Sequence, residues 1–271
     1  MDLTGKVALV LGSIKGIGKA VGLDLANSGA TVVYTYHDWP ESLASLQEDA
    51  AASGRDHWIA EINLVETDAV DRLADRIIDR FGRIDILINN IERGGWPVVH
   101  GKYVQEQWDL ELATTLRAKQ WAFNACLPHL KATGNGVVIN FSSIAGIVGR
   151  SGPASYLFNE GYAAANRGIS LLTETWARLG APEVRVNEIM LGIFETRHAQ
   201  KTRGWSLLTE NQKQAILDHT LLERTGQLDD VIGAVRFLIH DAPYMTGSVL
   251  RIDGGYVLGG ERIAPMPDGV V

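Results

Sequence analysis

A glycine-rich turn is the first chemically suggestive feature of this 271-residue chain. Gly12-Ser13-Ile14-Lys15-Gly16-Ile17-Gly18 follows the apolar run VALVL at 7–11 and leads into a segment of helical spacing. Glycines in such a turn let the backbone approach an anion closely, and the helix N-terminus adds free N–H groups and partial positive charge. The expected chemistry is the cradling of a pyrophosphate by Gly12, Ser13, Lys15, Gly16, Ile17 and Gly18. The seven histidines show no HExxH and no paired Cys/His spacing, so no metal site is expected. Cys126 is the sole cysteine, which excludes an internal disulfide and suits a reducing, cytoplasmic setting.

A phosphate-binding turn needs a buried strand behind it, and the chain supplies several. Short Val/Ile/Leu-rich runs stand at 7–11, 31–35, 84–88, 136–141, 184–189 and 247–252, with a weaker one at 57–62. Several are apolar on both faces, as strands of a buried parallel sheet must be. Segments of helical spacing lie between them, at 17–28, 41–52, 66–81, 105–132, 156–180 and 229–240. In 66–81, Val70, Leu73, Ile77 and Ile78 share one face while Asp71, Arg72, Asp75 and Arg76 take the other. The alternation predicts an α/β fold: a single-domain, Rossmann-type, doubly wound parallel sheet of about seven strands with helices on both faces. This domain should span about residues 1–256, leaving 257–271 as a tail. A formal charge of −7 with no Lys/Arg cluster argues against nucleic acid or an anionic membrane as partner. No apolar run reaches the ~18 residues of a membrane span.

The motifs then fall into a familiar order. The spacing Gly12-x-x-x-Gly16-x-Gly18 resembles the short-chain dehydrogenase/reductase family. Asn89-Asn90 is similar to that family's NNAG, Ser142-Ser143 to the serines ending its fifth strand, and Tyr162-Ala-Ala-Ala-Asn166-Arg167-Gly168 to its YxASKxG helix. Arg185-Val186-Asn187, Leu191-Gly192 and Thr196 resemble RVNxxxPGxxxT, and Met245-Thr246-Gly247 with Asp253-Gly254-Gly255 resemble its TG…DGG ending. The resemblance implies a nicotinamide dinucleotide cofactor, reached by Asn89, Asn90, Gly192 and Thr196 besides the glycine turn. It places Asn63 and Leu64 against the adenine, where the family usually has an Asp. The family's acidic position at the end of the second strand falls on Tyr36, followed by His37, and Lys15 stands where NADP-dependent members often carry a base. These features favour NADP(H) over NAD(H), with Asp38 one residue beyond as the counterweight.

The resemblance also implies the catalytic roles. A Tyr donates the proton, a Ser holds the substrate oxygen, a Lys one helical turn past the Tyr binds the nicotinamide ribose, and an Asn on the preceding helix holds a relay water. Ser143 fills the serine position, but the lysine position is Asn166 and the asparagine position, counted from Trp108-Asp109, is Thr115. The chain from Ser143 to Asn166 is several residues longer than the family's usual interval. The acid is therefore Tyr162 if the extra residues precede the helix, or Tyr156 if they lie within it. Leu11, Ile91-Glu92 and Leu191 are further departures around the cofactor. The stretch 195–222, with Trp205, Leu207, Leu208 and Ile216, is the expected substrate lid or a small helix packing down, and Trp96 could wall the same pocket. Expected assemblies are a homodimer or homotetramer through the long helices. The leading expectation is an NADP(H)-dependent reductase of a small-molecule carbonyl. The alternatives are a dinucleotide-binding protein without turnover, or an enoyl reductase using Tyr156.

Overall fold

β1 (Val7–Leu11), β4 (Ile86–Asn89) and β5 (Gly136–Ser143) are buried along their whole length, as strands covered on both faces require. β3 (His57–Glu61) and β7 (Val249–Ile252) are more open, because they are the two edges. With β2 (Thr31–Tyr36) and β6 (Val184–Leu191) they form one parallel seven-stranded sheet in the order β3-β2-β1-β4-β5-β6-β7. The computed structural model describes residues 1–91, 105–194, 205, 208–261, 263–267 and 269.

Alternation along the strands divides the core into two layers. Val10, Val32, Ile139 and Ile189 face α1 (Gly16–Asn27) and α9 (Leu228–Arg236), meeting Val21, Leu25, Val231 and Val235. Leu9, Val33, Leu87 and Val138 face α3 (Thr67–Phe81), α5 (Ala118–Ala132) and α7 (Glu160–Gly180), meeting Leu73, Ile77, Phe123 and Trp176. Phe123 and Trp176 stack with centroids 4.7 Å apart, joining α5 to α7. At the other end of the strands, Asp85 accepts from the Val7 amide at 2.9 Å, from Arg83 at 2.6 and 2.7 Å, and from Lys6 at 3.0 Å, which ties β4 to β1.

The order of strands reverses between β1 and β4, so a crevice opens at their carboxyl ends, where open α/β sheets bind ligands. Three boundaries differ from the sequence expectation near that crevice. The segment 105–132 is α4 (Gln105–Glu111) and α5 joined by a π-helical stretch, Leu112–Arg117. The segment 156–180 becomes helical only at Glu160, after α6 (Ala145–Val148) and a 3₁₀ turn over Pro153–Tyr156. The segment 229–240 ends in a π turn, Phe237–Asp241. α2 (Leu43–Ala52) follows a 3₁₀ turn over Pro40–Ser42, and α8 (Glu210–His219) lies within the expected lid.

Candidate functional site

The glycine turn closes against the end of β4. Asn90 Nδ2 donates to the Gly12 carbonyl at 3.0 Å, and a Cβ on Gly18 would lie 2.3 Å from that same oxygen and 2.6 Å from Asn90 Nδ2. No side chain at position 18 fits such an approach. Lys15 is the N-cap of α1, no side chain caps the helix, and its first turn holds no acidic residue. The helix end therefore suits an anion. Ser13, expected among the phosphate contacts, is spent elsewhere. Its amide donates to the Thr35 carbonyl at 2.9 Å, its hydroxyl donates to Val10 O at 2.9 Å and accepts from the Thr35 amide at 2.8 Å. Ser13 thus fastens β1 to β2 at the start of the glycine turn.

At the end of β2, the Tyr36 hydroxyl donates to Glu61 Oε2 at 3.3 Å, its register partner on β3. Burial and the neighbouring Glu61 carboxylate raise the Tyr36 phenol above its ordinary value. His37 is exposed. Lys15 Nζ lies 2.8 Å from the centroid of the Trp39 ring, and Trp39 itself takes a left-handed backbone conformation with φ 68°. Asn63 closes a local turn, accepting from the Val65 amide at 3.2 Å and donating to Glu66 at 3.0 Å, while Leu64 packs on the core.

The second half of the site gathers where β5 ends. Ser143 is buried, and its Oγ accepts from the Ala145 amide at 3.1 Å. The turn that follows lies directly on α7: a Cβ on Gly146 would stand 2.8 Å from the Arg167 nitrogen and 3.0 Å from the Asn166 carbonyl carbon. Only glycine allows that contact, which brings Ser143 and Asn166 into one neighbourhood. Tyr162 occupies the first turn of α7 and packs with Ile144, Ala145, Phe158 and Met190. Its position is set by Asn159, the N-cap, whose side chain accepts from the Tyr162 amide at 2.7 Å and donates to Glu111 on α4 at 3.4 Å. The extra residues therefore precede the helix. Tyr156 is 42% exposed at the end of the 3₁₀ turn and stands outside α7.

Asn166 is fully buried, and its Nδ2 donates back to the Tyr162 carbonyl at 2.9 Å. Thr115 is fully buried in the π-helical stretch, whose Leu116 packs on α7 at Gly168. Asn166 Oδ1 and Thr115 Oγ1 have no hydrogen-bond partner among the described residues. Two buried oxygens left this way beside a strand end are acceptors in waiting for a ligand hydroxyl or water. Asn89 donates to Asn140 at 2.8 Å, and Gly192 packs on Asp253, a Cβ there falling 2.5 Å from the Asp253 Cα. The loop between Ser143 and Tyr162 is clasped from the far end of the chain, where the buried Tyr256 hydroxyl accepts from the Ala154 amide at 2.8 Å. Of the expected lid, Leu208, Trp205 and Ile216 pack onto Tyr162, Met190 and Tyr256. Thr196, Glu92, Trp96 and Leu207 lie outside the described residues.

Residues 12–257 match a family model described as enoyl-(acyl carrier protein) reductase. The chain belongs to the short-chain dehydrogenase/reductase family. It is 33% identical to a 3-oxoacyl-[acyl-carrier-protein] reductase of Thermotoga maritima, over 95% of this chain and all of that one. A 3-oxoacyl-[acyl-carrier-protein] reductase of Synechocystis is 32% identical over 94% of this chain and 98% of its own. Among solved structures, an NADPH-dependent 3-quinuclidinone reductase from Rhodotorula rubra superposes with TM-score 0.82 at 26% identity, covering 95% of this chain and 93% of that one. This short-chain dehydrogenase/reductase has no helix among its described residues long and apolar enough to cross a membrane. Its uncapped α1 terminus, the close turn at Gly12–Gly18 and the unpartnered Asn166 Oδ1 fit a dinucleotide.

Several residues of the site escape sequence reasoning. Asn159 had a visible signal, an Asn directly before Glu160 at a helix start. Trp39 had a weaker one, an aromatic just past the second strand. Lys119 and Glu188 are wholly buried under β5: Lys119 Nζ donates to the Phe141 carbonyl, and Glu188 Oε1 accepts from Ser142 and, at 3.1 Å, from Ser170 on α7. Burial pushes the Glu188 carboxyl above the usual carboxylate range. The Ser142 and Ser170 hydroxyls and the charges of Lys119 and Arg167 pull the other way without overcoming it.

Proposed function

We propose that this chain reduces the carbonyl of a 3-oxoacyl or similar small-molecule ketone and uses NADP(H) in preference to NAD(H). The observation that carries the reading is the seating of the Ser143 turn on α7 at Asn166, with Tyr162 fixed in the first turn of the same helix. A reduced nicotinamide, when bound, supplies the hydride. Ser143 holds the carbonyl oxygen, and Tyr162 donates its phenolic proton as charge develops there. Asn166 Oδ1 accepts from a ribose hydroxyl, and Thr115 Oγ1 orients a water. Asn166 carries no charge that would favour a tyrosinate, so Tyr162 is suited to giving a proton, which is the reductive direction. Lys15 at the α1 cap, the lack of a carboxylate at Tyr36 and the likeness to an NADPH-dependent reductase support the cofactor choice. Exposed Trp121 on α5 with Leu171 and Leu179 on α7 support a homodimer or homotetramer through these helices.

A second reading, reduction of a C=C bond, is favoured by the description of the matching family model. NADPH oxidation against ketone, 3-oxoacyl and enoyl thioester substrates separates the two. The proposal expects turnover of a carbonyl substrate, a loss of about a hundredfold or more in Tyr162→Phe and Ser143→Ala, and little change in Tyr156→Phe. Turnover of enoyl substrates alone, lost in Tyr156→Phe, supports the second reading. NADPH binding without any turnover overturns both in favour of a nucleotide-binding protein.

A further inference from the structure

Two ionisable side chains are wholly enclosed beneath the end of β5, where burying such a group is costly. Lys119 comes from α5, one turn beyond Thr115, and donates to the Phe141 carbonyl. Glu188 comes from β6 and accepts from the hydroxyls of Ser142 on β5 and Ser170 on α7. Ser170 is itself one turn beyond Asn166 on the same face of α7. Phe141 and Ser142 are thus each held by an ionisable group, and the next residue is Ser143. Apolar side chains of similar volume would fill this space at lower cost, so bulk alone does not account for two ionisable groups here.

We propose that Lys119 and Glu188 are positioning residues: acting through Phe141 and Ser142, they hold the last step of β5 so that Ser143 presents its hydroxyl at one place. The kinetic part of this inference rests on the carbonyl reading of Ser143 given above. Lys119 grips the main chain from the α5 side, and Glu188 couples the same step to the α7 stripe that carries Asn166.

The test compares the full chain with Lys119→Met, Glu188→Ala and Glu188→Gln by peptide-resolved hydrogen exchange and steady-state kinetics. Exchange over 141–145 should rise about tenfold or more in Lys119→Met and Glu188→Ala, with β1 and β2 unchanged. Glu188→Gln keeps an acceptor for Ser142 and Ser170 and should stay within about threefold of wild type. Turnover should fall about tenfold to a hundredfold in kcat with KM little changed. That loss should vanish in a Ser143→Ala background, where there is no hydroxyl left to position. Exchange that rises evenly through the sheet or not at all, or a kcat loss undiminished without Ser143, overturns the proposal. Should Lys119→Met not accumulate folded, Ser170→Ala, which removes one bond to Glu188, carries the same expectations at smaller amplitude. A wild type that turns over no carbonyl refutes the functional reading, while the exchange pattern still decides whether the pair holds β5.

Discussion

Asn159 Oδ1 accepts the Tyr162 amide at 2.7 Å, and this one bond decides which tyrosine belongs to α7. An N-cap takes up an amide the first turn cannot pair internally, so it fixes where the helix begins. Here it begins after a loop long enough to absorb the extra residues between Ser143 and Asn166. Tyr156 is left on the surface and Tyr162 is packed over the strand ends.

Asn159→Ala should lower stability by about 1–2 kcal/mol, since it removes the cap and a contact to the buried Glu111. It should also lower kcat by loosening the first turn that carries Tyr162. Asn159→Ser, which keeps a capping oxygen for the Tyr162 amide without setting a second carboxylate against Glu111, should lose less activity. Thermal melts and kinetics on both variants check this; equal loss in the two would disconnect the cap from the chemistry.

Gly18→Ala places a methyl against the Gly12 carbonyl and Asn90. The turn has to open, so nucleotide affinity should fall by about tenfold or more while the rest of the sheet stays folded. Titration of NADPH fluorescence against the variant reads the affinity, and circular dichroism reports the fold.

Lys15 rests on the Trp39 ring, next to the end of β2 that carries Tyr36. In the proposed NADP(H) site its charge meets the extra phosphate of that cofactor. Lys15→Ala should weaken NADPH binding by about tenfold and leave NADH binding within a few-fold, at low salt. Equal weakening of both would remove Lys15 as the discriminating residue.

Asp85 makes an acid-sensitive tie between β1 and β4. Burial works against its charge, but Arg83, the Val7 amide and Lys6 together hold its carboxyl below the usual carboxylate range. A folded value below the unfolded one, near 3.9, gives stability that is present above about pH 4 and lost as pH falls through the folded value. Asp85→Asn should melt lower than wild type at neutral pH, by about 2 kcal/mol in stability. The gap should narrow below about pH 4, and melting curves along an acid series would show it.

The sheet is legible because its central strands are buried on both faces and leave short runs rich in Val, Ile and Leu. β1 and β2 fall within a residue of their expected limits, while β4 pairs from Ile86 rather than residue 84 because Asp85 at its entry is engaged with Arg83 and Lys6. The helical spacing overruns the start of α7 because Tyr156 and Phe158 extend it backwards, although Pro153 and Asn159 mark a later start. The π-helical stretch around Thr115 had no local signature, since it depends on how Leu116 meets Gly168. Lys119 has no readable signal, since a lysine in an amphipathic helix is ordinarily solvated. Glu188 carries a readable warning: a carboxylate inside the strand VRVNEIML, directly before Ile189, Met190 and Leu191.

The clasp between Tyr256 and Ala154 spans 102 residues and closes only after β7. During synthesis, Ser143 and Tyr162 leave the ribosome long before Tyr256 does. Until then the segment joining Ser143 to Tyr162 has no bond to Tyr256. Seating of the segment between Ser143 and Tyr162 therefore waits for Tyr256 to be made, and a chain truncated before that residue would lack the clasp.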